Sequence, residues 1–328
     1  MSLPPGTRRG RTLDVPDLVA RAERGEARAV ARLISLVEDA SPALREVMAL
    51  LAPRAGHARV IGLTGSPGVG KSTSTNALVA AYRRLGMRVG VLAVDPSSPF
   101  SGGALLGDRV RMQDHATDDG VFIRSMASRG HLGGLSWAAP QALRVLSAAG
   151  CDVVLIETVG VGQAEVEIAS LADTTLVLLA PGMGDGIQAA KAGILEVADV
   201  FVVNKADREG ADTVVRDLRY MLSLGDRRTD DGWRVPIVKT VAAKGEGADE
   251  VVEAIERHGQ WLAGNGQLEV RRRKRAADEV EAIALTVLRE RMGDLRGSDG
   301  LDRAAAAVVA GNLDAYTAAD DLVAALAG

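Results

Sequence analysis

The chain has 328 residues, of which 47% are hydrophobic and 25% are charged, so it is long and apolar enough to bury a sizeable core. Its formal net charge of -4 argues against a protein that mainly binds nucleic acid. A single cysteine, Cys151, excludes an intramolecular disulfide and a cysteine-rich zinc site, and its place before an apolar strand predicts a small buried residue. Nothing at the N-terminus resembles a signal peptide and no apolar run could span a bilayer, so we expect a cytoplasmic protein without membrane contact.

The first 55 residues predict a helical N-terminal extension. Apolar residues recur at helical spacing between residues 15 and 51, and Ser41-Pro42 begins a further helix at residue 44. The extension is expected either to pack on the domain that follows or to contact a partner.

The segment from residue 60 to 73 contains the strongest motif in the chain. A short apolar strand leads into a sequence that matches the phosphate-loop pattern G-x-x-x-x-G-K-[ST] at every fixed position, and an amphipathic helix follows. Glycines bring backbone N–H groups close to phosphate oxygens, and the helix N-terminus adds a partial positive charge. Lys71 would reach the β- and γ-phosphates, and the Ser72 hydroxyl would ligate Mg²⁺. The predicted loop consists of Gly65, Ser66, Pro67, Gly68, Val69, Gly70, Lys71, Ser72 and Thr73.

Between residues 56 and 265, short apolar runs alternate with amphipathic segments. Strands are predicted near residues 60–63, 89–94, 121–123, 153–156, 175–179, 200–203 and 236–238. Helices are predicted near residues 77–85, 140–149, 187–197, 213–222 and 250–262. Continuous apolar strands separated by amphipathic helices indicate an α/β domain with a mostly parallel sheet, helices on both faces and ligands at the carboxyl ends of the strands.

A second motif, Asn204-Lys205-Ala206-Asp207, directly follows the sixth predicted strand. A carboxylate at Asp207 can accept hydrogen bonds from N1–H and the N2 amino group of guanine, a pattern that adenine lacks. The Lys205 stem would cover the base, and Asn204 would fix the loop. Together with the phosphate loop, this motif favours guanine over adenine. Backbone N–H groups that could meet guanine O6 follow the next strand, at Thr240, Val241 and Ala242.

Three acidic residues, Asp95, Asp108 and Glu157, lie at strand ends or in the loops beyond them, where a carboxylate has no packing role. Mg²⁺ prefers hard oxygen ligands in an octahedral array, which these carboxylates, Ser72, phosphate oxygens and water can supply. Gly160 follows Glu157 closely enough to place its N–H against a γ-phosphate. We therefore predict a magnesium site beside the phosphate loop.

Residues 266–328 predict a C-terminal helical arm. A long helix running to about residue 292 opens with the basic run at residues 271–275, and shorter helices follow near residues 301–310 and 315–326. The basic run could bind an acidic partner, but a solvated helix face is the favoured interpretation. Val280, Ile283, Ala284 and Val287 lie at helical spacing, as in an arm that packs on another subunit.

The motifs together resemble one family of phosphate-loop proteins, the methylmalonyl-CoA mutase-associated GTPases of the MeaB/ArgK group. The resemblance covers about residues 15–265 and depends on the segments GSPGVGKST, VDPSSPFSGGALLGDRVRM, FIRSMASRGHLGGL, IETVGVGQAE, PGMGDGIQAAKAGILEVAD and NKAD. It implies a guanine-nucleotide domain that dimerises through the C-terminal arm. It also implies a chaperone that gates cofactor loading of an adenosylcobalamin-dependent acyl-CoA mutase and protects it during turnover.

The resemblance also assigns roles to individual residues. Lys71 and Ser72 would contact phosphates and metal, and the three acidic residues would form the magnesium-linked set. Residues 182–191 match a switch that reports the nucleotide state to a partner, through Asp185, Gln188 and Lys191. This chain departs from the expected pattern at Gly186 and Ala189-Ala190, which replace bulkier residues, and at Val241, where many GTPases have serine.

We therefore predict a Mg²⁺-dependent GTPase with GTP and GDP as ligands, in which Lys71, Mg²⁺ and loop amides stabilise charge on the transferred phosphoryl group. Gln163 is the nearest candidate for positioning water. One alternative is a metal-delivering GTPase, which predicts clustered metal ligands, although the four histidines and one cysteine of this chain do not cluster. The others are a kinase associated with basic amino-acid transport and a nucleotide-gated scaffold in which hydrolysis is incidental.

Overall fold

The structure, a computed structural model, describes residues 13–96, 115, 117–128, 138–158, 164–182, 195–224, 232–292 and 299–327. Within these ranges seven parallel strands form one sheet in the order β3-β2-β4-β1-β5-β6-β7. The strands are β1 Arg59–Thr64, β2 Val89–Pro96, β3 Val121–Ser128, β4 Val153–Thr158, β5 Thr174–Leu179, β6 Val200–Val203 and β7 Ile237–Lys239. The predicted α/β class with a parallel sheet is confirmed.

Helices precede, connect and follow the strands. They are α1 Val15–Glu23, α2 Ala27–Glu38, α3 Leu44–Leu51, α4 Lys71–Arg84, α5 Ala138–Ala148, α6 Ala164–Leu171, α7 Leu195–Val197, α8 Ala211–Leu224, α9 Ala248–Gly264, α10 Gln267–Met292, α11 Asp299–Val309 and α12 Ala315–Ala327. The sequence did not predict α6. Of the helix predicted over residues 187–197, residues 187–194 lie outside the described part. No helix among the described residues is long and apolar enough to cross a membrane.

The two faces of the sheet carry separate apolar cores, as the alternation along β4 shows. Val154 and Ile156 pack with the N-terminal helices and α5, whereas Val153 and Leu155 pack with α4 and α9. A third core lies around β5, β6 and α8. A parallel strand in the middle of such a sheet is covered on both sides, which explains its unbroken apolar sequence.

The N-terminal extension packs on the first of these faces. Val30, Leu33 and Val37 of α2 are buried in the same core as α5, and Glu38 at the end of α2 pairs with Arg124 of β3. Cys151 is also buried, as predicted, and burial raises the pKa of its thiol to about 12. The extension is thus an intramolecular packing element.

The chain divides into two compact units, Met1–Arg272 and Arg273–Gly328. The favoured interpretation of the basic run was wrong for its first two residues, which belong to the first unit. Arg271 forms a bidentate ion pair with Asp199, and Arg272 lies 3.3 Å from a carboxylate oxygen of Asp173. These acidic residues immediately precede β6 and β5 and are nearly buried, so the two arginines compensate charge inside the protein.

In the second unit, several large apolar side chains are exposed. These are Val280, Ile283, Leu285, Leu288, Val309, Leu313, Tyr316 and Val323. Ala318 is its one buried hydrophobic residue among those whose burial is described.

Candidate functional site

The phosphate-loop sequence connects the carboxyl end of β1 to the first residue of α4, Lys71. Two of its glycines are required by the local backbone. Gly65 has φ 142°, and a Cβ there would lie 2.3 Å from the Leu178 carbonyl oxygen. Gly70 has φ 96°, and a Cβ there would lie 2.5 Å from Nδ2 of Asn204. The loop therefore fits closely between β5 and the Asn204 side chain, and its glycines permit that approach.

Lys71 folds back over the loop that precedes it. Its Nζ donates to the carbonyl oxygens of Gly65 at 2.6 Å and Ser66 at 3.2 Å. The side chain is thus held at the mouth of the loop, next to the N-terminus of α4, where a partial positive charge favours anions. This arrangement suits a bound phosphate, because both the ammonium group and the helix N-terminus attract negative charge.

Asn204 connects the phosphate loop to the two segments predicted to surround a guanine base. Its Nδ2 donates to the Val69 carbonyl at 2.8 Å. Its Oδ1 accepts from the Ala242 N–H at 3.0 Å and from the Thr240 hydroxyl at 3.2 Å. The side chain is only 3% exposed, so all three bonds are shielded from water. Asn204 therefore fixes the relative positions of three loops.

Lys205 adds a second connection, since its Nζ donates to the Gly68 carbonyl at 2.6 Å. Its backbone has φ 57°, a left-handed conformation that is uncommon outside glycine and that turns the chain sharply after β6. Asp207 lies two residues further, with 45% of its side chain exposed and Lys244 at 3.7 Å. An exposed ion pair of this kind is weak, so the carboxylate can exchange Lys244 for a ligand at little cost.

The backbone N–H groups of Thr240, Val241 and Ala242 are already engaged. They donate to Val203 O at 2.9 Å, Glu246 O at 3.0 Å and Asn204 Oδ1 at 3.0 Å, respectively. A guanine contact through any of these amides would require it to exchange a partner within the protein. The structure thus places this segment beside Asn204, but with its amides directed to other acceptors.

Among the three predicted carboxylate ligands of the metal, Glu157 is the one whose side chain the structure describes. It lies in β4, in register with Leu63 of β1 and Ala93 of β2, and is 3% exposed. Asp95 lies on the neighbouring strand β2, with its backbone described but not its side chain. The remaining predicted residues, Asp108, Gly160, Gln163, Asp185, Gln188 and Lys191, lie outside the described ranges.

The residues present fit a magnesium ion chemically. Ser72 in the first turn of α4 offers a hydroxyl oxygen and Glu157 a carboxylate, both hard ligands of the kind that Mg²⁺ prefers. Among the residues with a described structure, no three acidic, histidine or cysteine side chains cluster as a complete metal site. A magnesium ion held by one or two protein groups takes its other ligands from phosphates and water, which agrees with so small a set.

Sequence reasoning missed one polar contact at this site, between Thr75 of α4 and Glu157. The Thr75 Oγ1 lies 2.5 Å from Oε2 of Glu157 and 3.1 Å from the Lys71 carbonyl. The spacing from Ser72 could have indicated it, because residues three apart on one helix lie on the same face.

The comparisons with known proteins agree with this geometry. A family model described as methylmalonyl Co-A mutase-associated GTPase MeaB matches residues 30–295. A Pyrococcus abyssi protein that carries a GTPase name is 46% identical over 307 residues, covering 93% of this chain and 95% of the relative. The mouse methylmalonic aciduria type A homolog, mitochondrial, is 38% identical over 217 residues, covering 65% of this chain and 52% of that protein.

A solved structure, titled LAO/AO transport system kinase, superposes with a TM-score of 0.72 at 27% identity and covers 97% of this chain and 99% of that chain. The family match spans most of the sequence and includes both the phosphate loop and the Asn204 motif. The chain therefore belongs to the methylmalonyl Co-A mutase-associated GTPase MeaB family and is a GTP hydrolase with a P-loop GTPase fold.

Proposed function

We propose that the protein is a Mg²⁺-dependent, guanine-selective GTPase that regulates an adenosylcobalamin-dependent acyl-CoA mutase. The observation that supports nucleotide selectivity most directly is the Asn204 side chain, which belongs to one predicted base-binding segment and bonds both to the phosphate loop and to the other such segment, at Thr240 and Ala242. A nucleotide in the phosphate loop would then have its base near Asp207.

In this proposal the chain contributes to catalysis mainly by electrostatic stabilisation of the transferred phosphoryl group. Lys71, already held at the mouth of the loop, would exchange its carbonyl partners for β- and γ-phosphate oxygens. Mg²⁺ held by Ser72 and Glu157 would neutralise charge on the same phosphates. Asp95, Asp108 and Gly160 complete the predicted set, and Gln163 is the candidate for orienting water.

The mutase as client is inferred from the description of the family and from the name of the mouse relative, which refers to methylmalonic aciduria. In this proposal, residues 182–191 act as the switch that reports the nucleotide state to the client, through Asp185, Gln188 and Lys191. Residues 266–328 form a homodimerisation arm, which is supported by exposed apolar side chains such as Val280, Ile283 and Leu288. Methylmalonyl-CoA mutase is the client that the family name favours.

Phosphate release from GTP and from ATP, with and without methylmalonyl-CoA mutase, tests the proposal. We expect release from GTP only, and faster release with the mutase. Asp207→Ala should abolish the preference for GTP, whereas the control Asp212→Ala, at an 89% exposed side chain of α8, should leave it unchanged. Equal use of ATP by the unmodified protein would refute guanine selectivity, and indifference to the mutase would refute that client.

A kinase is the second candidate, because the solved structure that superposes over nearly the whole chain is described as a transport system kinase. It predicts that the labelled γ-phosphate of GTP moves to an acceptor protein or amino acid rather than to water. Release of all the label as inorganic phosphate in the presence of candidate acceptors would exclude it.

A further inference from the structure

The Thr75 hydroxyl makes a contact that the phosphate-loop motif does not explain. Thr75 lies one turn after Lys71 in α4, is fully buried, and its Oγ1 is 2.5 Å from Oε2 of Glu157. The hydroxyl carries one proton and has two possible acceptors, this carboxylate and the Lys71 carbonyl at 3.1 Å. The shorter distance and the charge of the carboxylate favour donation to Glu157.

The position of this contact relates it to the metal ligand predicted on the same helix. Ser72 and Thr75 are three residues apart in α4, so their side chains project from the same face in successive turns. Glu157 lies on β4, which neighbours the strand that leads into the phosphate loop. A carboxylate held by Thr75 is therefore held beside the helix turn that contains Ser72.

We propose that Thr75 is a positioning residue, whose hydroxyl fixes the orientation of the Glu157 carboxylate for binding Mg²⁺ together with the nucleotide. The inference depends on the proposed Mg²⁺-dependent function. A carboxylate that is 3% exposed is kept in one orientation by hydrogen bonds, and Thr75 provides one of them from a helix. In metalloproteins, loss of a partner that orients a metal ligand in this way lowers metal affinity by roughly 10–100-fold.

The rival explanation is that Thr75 is an ordinary core threonine that bonds back to the carbonyl four residues earlier, a common arrangement in helices. Under that explanation, a valine of the same shape would pack equally well and would not affect Mg²⁺. The two explanations therefore differ in their predicted effect on the metal.

The test measures release of a fluorescent GDP, N-methylanthraniloyl-GDP, from the full chain over a range of Mg²⁺ concentrations. The readout is the Mg²⁺ concentration that slows release by half, which needs no catalysis. Thr75→Val removes the hydroxyl and keeps the shape, and Thr75→Ser keeps the hydroxyl. Ser74→Ala is the matched control, because Ser74 is the adjacent residue, is 6% exposed, and its hydroxyl has no hydrogen-bond partner among the described residues.

We expect Thr75→Val to raise the half-maximal Mg²⁺ concentration by roughly 10–100-fold, while GDP release in EDTA stays close to that of the unmodified protein. Thr75→Ser and Ser74→Ala should stay within about threefold of the unmodified protein, since neither removes the proposed donor. The inference is overturned if Thr75→Val leaves the Mg²⁺ dependence unchanged, or if Thr75→Ser loses as much as Thr75→Val. If the unmodified protein releases GDP at a rate indifferent to Mg²⁺, the proposed Mg²⁺-dependent function fails as well.

Discussion

Replacing Arg271 by alanine should destabilise the first compact unit strongly, although Arg271 lies far from the phosphate loop in sequence. Its two terminal nitrogens each lie 2.9 Å from a carboxylate oxygen of Asp199, and Nη1 also donates to the Asp173 carbonyl at 2.9 Å. The Asp199 side chain is 8% exposed. Removing one partner of a buried ion pair leaves the other charge poorly compensated, which typically costs about 3–5 kcal/mol.

The structure places this variant at the lower end of that range. The Thr175 N–H still donates to Asp199 at 2.8 Å, and the Arg271 side chain is 35% exposed, so water can reach part of the vacated space. We therefore expect the free energy of unfolding to fall by about 3 kcal/mol. The free energy of unfolding of Arg271→Lys should lie between those of the unmodified protein and Arg271→Ala, because lysine retains the charge but not the planar pair of donors.

Urea denaturation followed by tryptophan fluorescence provides the assay. Trp233 donates its ring N–H to the Asp199 carbonyl at 2.9 Å, so its emission reports on this region. Lys274→Ala, three residues along the same helix at an exposed position, is the control and should change the free energy of unfolding by less than about 0.5 kcal/mol. A loss below about 1 kcal/mol for Arg271→Ala would refute the argument that the arginine compensates a buried charge.

Three further outcomes follow from the structure. Burial lowers the pKa of His258 from 6.5 to about 4, partly offset by the charge of Asp199, so between these pH values the unfolded chain gains a proton that the folded chain does not. The contribution of His258 to the free energy of unfolding should therefore fall by about 3 kcal/mol as the pH drops from 6.5 to 4, and stability measured by urea denaturation should depend less steeply on pH in His258→Gln. Asn204→Ala should weaken GDP binding on the order of 100-fold by calorimetry, because it removes three buried hydrogen bonds, and unchanged affinity would contradict the role assigned to this side chain. Gly70→Ala should lower the thermal midpoint, since its φ is 96° and its Cβ would meet Asn204, whereas Gly259→Ala, inside α9 with open space around it, should stabilise the protein by about 0.5–1 kcal/mol.

The sheet was predictable from sequence because each central strand is an unbroken apolar run, and all seven runs became strands. Helix α6 was missed because its eight residues have no clear apolar stripe and follow a glycine-rich segment. The phosphate loop and the Asn204 motif were found because their glycines, lysines and aspartate have fixed spacing. Elements that are determined by residues close together in the sequence could therefore be predicted from it.

The contacts that sequence reasoning missed join residues far apart in the chain. Arg271 and Asp199 are separated by 72 positions, and Thr75 and Glu157 by 82. A run of basic residues is usually solvated, so only the fold can reveal that two of its arginines meet nearly buried carboxylates. Likewise, the pattern around Thr240 does not reveal that its backbone N–H already has an acceptor in Val203.

If the base and the phosphates bind where we propose, the three bonds of Asn204 should make the two binding events thermodynamically dependent on each other. Val69 and Ala242 bond to the same side chain, so a displacement of one loop by a bound nucleotide should alter the free energy of binding at the other. By reciprocity, guanosine alone should bind more tightly when inorganic phosphate occupies the loop, and phosphate should bind more tightly when guanosine is present.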